Sequence, residues 1–143
     1  SIGSLRQFSR NSIINQKEEK EGISQQIFSL GIKTSSDGVN VETLSGGNQQ
    51  KVILARWLMN KELKLLIIDE PTRGIDVGAK AEIYEILDKL AHQGISIMLI
   101  SSEMPEIISL CDRVYVMNNG RIRGELNAVE KAIVQEEVLS LAI

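Results

Sequence analysis

The stretch that decides the fold is LKLLIIDEP, Leu63–Pro71. Its centre is a continuous apolar run of strand length, which is typical of a parallel strand buried on both faces. Asp69 and Glu70 follow at the carboxyl end of this strand, the edge at which open α/β sheets bind ligands. Pro71 favours an extended backbone at Glu70, so we expect its carboxylate to project forward beyond the sheet.

The segments after this strand continue the alternation of helix and strand. Residues 72–94 show helical spacing, with Asp76 as the expected cap and Gly94 as the expected end. The core-facing positions of this helix are Ala79, Ile83, Ile86, Leu87 and Leu90. ISIMLISS, residues 95–102, is a second apolar strand, and EMPEIISLC is a short helix. This alternation predicts an α/β domain with parallel strands and flanking helices.

The C-terminal third predicts a β-hairpin and a tail helix. VYVMNNGRIRGE turns at Asn119-Gly120, a dipeptide that favours a tight hairpin turn. We expect the tail helix to start at Asn127, with Glu130 three residues later completing a capping box.

The first third of the chain reads as helical. QKEEKEGISQQIFSLG carries apolar residues at helical spacing and ends at Gly31. LSGGNQQKVILARW, Leu44–Trp57, is a second helix with Ser45 as its N-cap, and we expect Trp57, Leu58 and Met59 to pack in the interior. We therefore divide the chain into a helical subdomain, residues 1–60, and a core, residues 61–143.

Composition narrows the classes of function. The 143 residues carry a net charge of -3 without a basic cluster, which argues against a nucleic-acid surface. Cys111 is the single cysteine, so an internal disulfide is excluded and a reducing compartment is favoured. The sequence has no apolar run of membrane-spanning length, so a membrane role would be peripheral.

Two local patterns could bind a magnesium nucleotide, and each has a plainer explanation. Asp69 and Glu70 fit a pair in which one carboxylate holds Mg²⁺ and the other orients water, or they are two solvated acids. Ser45-Gly46-Gly47 opens a helix whose free N–H groups and dipole favour a phosphate, or it is an ordinary capped helix with a flexible entry.

The order of the motifs resembles the ATP-binding cassette ATPases. LSGGNQQK resembles the family signature, LLIIDE the Walker B strand and RGID the D-loop. Ser101-Ser102-Glu103 is at the switch position, and DRVYVMNNGRI is similar to the segment that follows it. GGNQQK, DEPTRGIDVGAK and ISSEMPEI resemble the second cassette of double-cassette bacterial sugar importers. The RW of ILARWL is most similar to the galactose/methyl galactoside type, with the ribose and xylose types as near neighbours.

This resemblance implies ATP and Mg²⁺ as cofactors and assigns the site residues. Asp69 would hold the metal, and Glu70 would be the base for water. Ser102 stands where most members of the family have a histidine. Independently of the resemblance, we expect Lys51 to be structural and to pair with a nearby acid. The residues expected to contact the nucleotide are Ser45, Gly46, Gly47, Asn48, Gln49 and Asp76.

The phosphate-binding loop is missing, because no Gly-Lys dipeptide occurs in the sequence. The chain therefore looks like the C-terminal part of a cassette, which we expect to be inactive alone. In the family fold the loop's strand lies between ISIMLI and VYVM, so we expect self-association, strand exchange or disorder around residues 95–125. The only histidine, His92, is expected to be structural or solvent-facing.

The resemblance also implies partners and a location. These are the first cassette of the same protein across the ATP sandwich, transmembrane permease subunits, and indirectly a sugar-binding protein. The protein would lie at the cytoplasmic face of the bacterial cell membrane. Two alternatives stay open: an ABC ATPase outside transport, and a regulatory nucleotide-binding module that does not hydrolyse ATP.

Overall fold

The structure is a computed structural model that describes residues 8–10, 13–129 and 131–143. The chain divides into two compact units. The first unit comprises Ser1–Leu66 and Pro71–Ile97, and the second comprises Ile67–Glu70 and Met98–Ile143. The predicted boundary between a helical subdomain and a core at residue 60 stays a prediction.

The first unit is mainly helical. Its elements are a small antiparallel pair of strands, β1 and β2, then a helix, a 3₁₀ turn and two further helices: β1 Ser9–Arg10, β2 Ile13–Ile14, α1 Gln16–Ser29, the turn Val41–Thr43, α2 Gly46–Leu58 and α3 Val77–His92.

Local signals set the ends of helix α1. The side chain of Asn15 accepts hydrogen bonds from the backbone N–H groups of Lys17 and Glu18, which satisfies two donors of the first turn. Gly31 adopts a positive φ of 58° just after the helix, the usual conformation for a glycine that ends one. The predicted stop at Gly31 is confirmed.

Helix α3 follows the sequence expectation at both ends and along its buried face. Asp76 caps it by accepting a hydrogen bond from the N–H of Ala79 at 2.9 Å, and Gly94 has φ 89° beyond its end. The residues predicted to face the core are buried, except Ala79, which is half-buried; the buried ones are Ile83, Ile86, Leu87 and Leu90.

Strands β3, Leu65–Asp69, and β4, Ser96–Ile100, are neighbours in a two-stranded sheet. The N–H of Ser96 donates to the carbonyl of Lys64, and the N–H of Glu70 donates to that of Ile100. The first residues of the two strands are therefore neighbours, and so are the last residues. The pair is parallel, as predicted.

The expectation that the first strand is buried on both faces is wrong for the described chain. Leu66 and Ile68 are buried, whereas Leu65 and Ile67 are 52% and 60% exposed. Successive side chains of a strand point to opposite faces, so this chain covers only one face of β3.

The second unit contains a short helix, the hairpin and the tail helix: α4 Met104–Leu110, β5 Arg113–Asn118, β6 Arg121–Asn127 and α5 Gln135–Ala142. Asn119 and Gly120 both have positive φ, 52° and 72°, as the predicted tight turn requires. In the core of this unit, alternate residues of β5 pack against residues of the tail helix and of the segment before it. The buried members are Val114, Val116, Ile133 and Val138.

The predicted start of the tail helix at Asn127 is wrong. Asn127 ends β6 opposite Arg113, and its side chain accepts a hydrogen bond from the N–H of Val129 at 3.0 Å. Asparagine side chains support such turns as readily as helix caps, so the local signal was ambiguous. The helix begins at Gln135, and Glu130 lies outside the described residues.

The packing prediction at the end of α2 is partly wrong. Met59 is buried, but Trp57 is 56% exposed. Leu54 and Ala55 are buried on the inner face of the helix. Trp57 follows Ala55 by two positions, so at 3.6 residues per turn its side chain lies on the opposite side of the helix from that of Ala55.

Candidate functional site

A cavity of about 230 Å³ opens in the first unit at the start of helix α2. We call it the signature pocket. It is lined by residues from the loop before α2 and from the first turns of α2 and α3: Lys33, Ser45, Gly47, Asn48, Asp76, Gly78, Ala79 and Glu82. The structure thus brings together four of the residues predicted to contact nucleotide, namely Ser45, Gly47, Asn48 and Asp76.

Ser45 occupies the N-cap position of α2, as predicted, yet its side chain makes no capping hydrogen bond within the described part of the chain. Its Oγ instead accepts a hydrogen bond from Nδ2 of Asn48 at 2.8 Å. Asn48 in turn accepts from the N–H of Lys33 at 2.8 Å. Asn48 therefore fixes the hydroxyl of Ser45 relative to the preceding loop.

The two glycines of the signature do different work. A Cβ on Gly47 would lie 2.5 Å from Cβ of Ala79, a distance that real Cβ atoms do not adopt. A Cβ on Gly46 would lie 3.1 Å from the Cγ2 of Ile75, a tight contact that would require this neighbour to move by a few tenths of an ångström. We expected both glycines to give a ligand access to the backbone; at Gly47 the structure shows that helix packing also requires glycine.

Gln49 and Gly46 do not line the signature pocket. Nε2 of Gln49 donates to the carbonyl of Leu44 at 2.8 Å, so this side chain braces the turn into α2. Asp76 lines the pocket while its Oδ1 caps helix α3, so one carboxylate oxygen is already engaged.

An ion pair between buried Lys51 and exposed Glu82 lies beside the signature pocket. The ammonium group of Lys51 is 2.7 Å from Oε2 of Glu82 and donates to the carbonyl of Gly31 at 3.1 Å. Lys33 also approaches Glu82, at 3.8 Å. The hydrogen bond and the charge of Lys51 hold the pKa of Glu82 below its usual value. The sequence predicted an acidic partner for Lys51 without identifying it, because only the fold places α3 beside α2.

In the second unit, Asp69, Glu70 and Ser102 form a group that we call the strand-end cluster. Asp69 is exposed at the end of β3. Oε1 of Glu70 accepts a hydrogen bond from the backbone N–H of Ser102 at 3.0 Å. The predicted switch residue therefore contacts the predicted base, and does so through its main chain.

The backbone of Glu70 differs from the expectation. Its φ is 47°, in the left-handed region, rather than extended. The chain turns at this residue directly after β3, while the N–H of Glu70 stays bonded to the carbonyl of Ile100 at 2.8 Å. A non-glycine residue in this region is strained, and such strain is found most often at functional sites.

The residues of both groups fit a magnesium nucleotide. The signature pocket offers a hydroxyl, an amide and helix N–H groups, which suit a phosphate. Asp69 offers an exposed carboxylate; the described residues contain no group of three or more His, Cys, Asp or Glu side chains that could hold a metal. Mg²⁺ commonly binds through one or two carboxylates together with nucleotide phosphates, so a lone Asp69 matches this pattern.

His92 is solvent-facing, as expected. Its ring is 79% exposed and lies 3.5 Å from Oδ1 of Asp88 on the same helix. It belongs to neither group of site residues.

Among the described residues, none of the helices combines the length and hydrophobicity needed to cross a bilayer.

These motifs and this fold are similar to part of the ATP-binding cassette of ABC transporters. The sequence profile of the ABC transporter family matches residues 2–73, half of the chain, and the chain belongs to that family. A solved structure of an ATP-binding cassette of an ABC transporter is 25% identical, with a TM-score of 0.74 over 94% of this chain and 53% of that one. This likeness confirms the predicted fold class.

Similar curated proteins carry names of sugar-import ATP-binding proteins. One from Rhizobium etli, named for ribose/galactose/methyl galactoside import, is 48% identical over 142 residues, 99% of this chain and 26% of that protein. An arabinose import ATP-binding protein from Pectobacterium atrosepticum is 50% identical over 131 residues, 92% of this chain and 25% of that protein. The chain thus spans about a quarter of the length of these relatives.

Proposed function

We propose that this chain is the C-terminal part of the second cassette in the ATP-hydrolysing subunit of a bacterial sugar importer. The observation that carries the proposal is likeness to sugar-import proteins along 99% of the chain. The signature pocket adds support, because it groups an uncapped helix start with the hydroxyl of Ser45 and the amide of Asn48.

In this proposal the two groups of site residues serve different nucleotides. Ser45, Gly47 and Asn48 of the signature pocket bind the γ-phosphate of a nucleotide held by the first cassette, with Asp76 at the same pocket. Gly46 contributes its N–H at the start of the helix, and Gln49 braces the turn into α2. ATP with Mg²⁺ supplies the phosphoryl bond whose hydrolysis drives uptake.

Asp69, Glu70 and Ser102 belong to the second cassette's own, weaker nucleotide site. Asp69 holds the metal through its exposed carboxylate. Glu70 orients a water molecule and takes up its proton. The N–H of Ser102 holds Glu70 in place, a positioning contact that requires no histidine.

The proposed partners are the first cassette, transmembrane permease subunits and, indirectly, a sugar-binding protein. The subunit would lie at the cytoplasmic face of the cell membrane as a peripheral protein. A nucleic-acid partner is not proposed, since the net charge is -3.

For the sugar, we propose galactose or methyl galactoside. Arg56-Trp57 and the name of the Rhizobium etli relative support this choice. Competition of labelled galactose uptake by unlabelled galactose, methyl galactoside, ribose, arabinose and xylose tests it. Galactose and methyl galactoside should compete best, and stronger competition by arabinose would replace the sugar while leaving the importer proposal intact.

The decisive experiment compares Ser45→Arg with Glu70→Gln in the intact two-cassette protein reconstituted with its permease. Ser45→Arg should abolish ATP hydrolysis and uptake, because a guanidinium would fill the pocket that serves the stronger site. Glu70→Gln should cost much less. Ser35→Arg, in an exposed loop, is the matched control and should behave as wild type. Equal losses from the first two variants would refute the assignment.

The 143-residue chain alone should not turn over ATP, since it carries only parts of two sites. An intact protein that binds ATP, with its permease present, but never hydrolyses it would instead support the regulatory alternative. The self-association expected around residues 95–125 stays a prediction. Strands β4 and β5, which flank that expected gap, lie in different sheets among the described residues.

A further inference from the structure

Lys51 is a buried cation with two partners from different parts of the first unit. Only 4% of the residue is exposed. Burying an ammonium group is costly unless its N–H donors and its charge are satisfied. The carbonyl of Gly31, just beyond α1, and the carboxylate of Glu82 on α3 provide these partners.

Helices α2 and α3 touch at two points one turn apart. Gly47 and Lys51 are four residues apart on α2, and Ala79 and Glu82 are three apart on α3, so each pair lies on one face of its helix. Gly47 packs on Ala79 with no room for a methyl group, and Lys51 is 2.7 Å from Glu82. The Gly47–Ala79 contact limits how closely the helices can approach, and the Lys51–Glu82 pair links them one turn further along.

Both helices begin at the signature pocket. Ser45, the N-cap of α2, and Asp76, the N-cap of α3, line the same cavity. A shift of one helix along the other would change the distance between these caps. The ion pair joins the two helices one turn beyond these caps, and Lys51 itself does not line the pocket.

We propose that Lys51 and Glu82 are positioning residues that hold the start of helix α2 against helix α3 and so set the geometry of the signature pocket for hydrolysis. This inference rests on the proposed ATPase function. Glu82 also lines the rim of the pocket, so Lys51, which does not, is the cleaner position to test.

The test measures ATP hydrolysis by the intact two-cassette protein with its permease. The variants are Lys51→Met, Lys51→Arg, Glu82→Gln and the double change Lys51→Met/Glu82→Gln. Glu85→Gln is the matched control, because Glu85 lies on the same helix and its pair with Lys89 is exposed. The kcat of each variant is expressed per nucleotide-binding molecule, so that unfolded protein is not counted.

Lys51→Met should lower kcat about tenfold or more while KM for ATP changes little, since a small displacement of an oriented group is enough for such a loss. Lys51→Arg should recover most of kcat, because the guanidinium can donate to both partners. The double variant should lose no more than Lys51→Met alone, since both changes break the same link. Glu85→Gln should match wild type.

A normal kcat per nucleotide-binding molecule in Lys51→Met would overturn the inference and leave only a structural role. The inference would also be overturned if the loss of kcat in the double variant equalled the product of the losses in Lys51→Met and Glu82→Gln, because the two residues would then act independently. If Lys51→Met does not fold, Glu82→Gln takes its place: its kcat should fall while KM for ATP changes little, and a normal kcat would overturn the inference. Absence of hydrolysis in the wild type would refute the proposed function, an outcome distinct from an active wild type with unaffected variants.

Discussion

Gly47 and Ala79 pack so closely that a methyl group on Gly47 would stand 2.5 Å from Cβ of Ala79. Gly47→Ala should therefore destabilise the fold by about 1–3 kcal/mol through overpacking. Denaturant unfolding of the 143-residue chain measures this.

The same contact provides its own control. Ala79→Gly alone should cost up to about 1 kcal/mol through helix propensity. In the Ala79→Gly background, however, Gly47→Ala should cost far less than in the wild type, because the clash is gone. Additive costs would mean that glycine is needed at position 47 for a reason other than this contact.

Because the backbone at Glu70 is left-handed, we expect glycine to stabilise the fold more than alanine at this position, the reverse of the usual order. Glu70→Gly should be more stable than Glu70→Ala by about 1 kcal/mol, since both lose the carboxylate and only alanine keeps the strain. Asp69 lies in regular strand, so Asp69→Gly should be less stable than Asp69→Ala. Unfolding of the four variants gives both differences, and the same order at both positions would contradict the assigned φ.

The ion pair with Lys51 predicts how Glu82 responds to pH. Lys51 lowers the pKa of Glu82 from its usual 4.5, so the pair contributes its full stability above pH 4.5 and loses it as pH falls through the lowered pKa. The carboxyl ¹³C shift of Glu82, titrated in the 143-residue chain, should show that low pKa. In Lys51→Met it should move back up toward 4.5; an unchanged titration would exclude Lys51 as the cause.

Cys111 should be a slow nucleophile. Burial raises the pKa of its thiol, and the charges of Glu106 and Asp112 raise it further. At pH 8 iodoacetamide should modify it at least about threefold more slowly than in the denatured chain, since the thiolate reacts. Asp112→Asn should speed the reaction in the folded chain. Equal rates for folded and denatured protein would contradict the prediction.

Features encoded within one segment could be predicted from the sequence. Asp76 as a cap, the buried face of α3 and the turn at Asn119-Gly120 all depend on neighbours a few residues away. The order of the signature, Walker B and switch motifs predicted the fold class for the same reason, since each motif is short and local.

Features that need two distant segments could not be predicted. The partner of Lys51 is 31 positions along the chain, and the obstacle to a side chain at Gly47 is Ala79 on another helix. Pro71 favoured an extended Glu70, but the hydrogen bonds to Ile100 and Ser102 accompany a turn there instead. At Asn127 the side chain supports a turn after a strand, an outcome that the local pattern does not distinguish from a helix cap.

The end of the tail helix is fastened to the hairpin at two places. A Cβ on Gly124 would lie 2.8 Å from both methyl groups of Leu141, and Nδ2 of Asn118 donates to the carbonyl of Ala142 at 2.6 Å. Ile143, directly after this anchor, is 96% exposed. A fluorophore attached at residue 143 would therefore report the orientation of the hairpin rather than that of a loose tail, which makes this position a suitable handle for distance measurements.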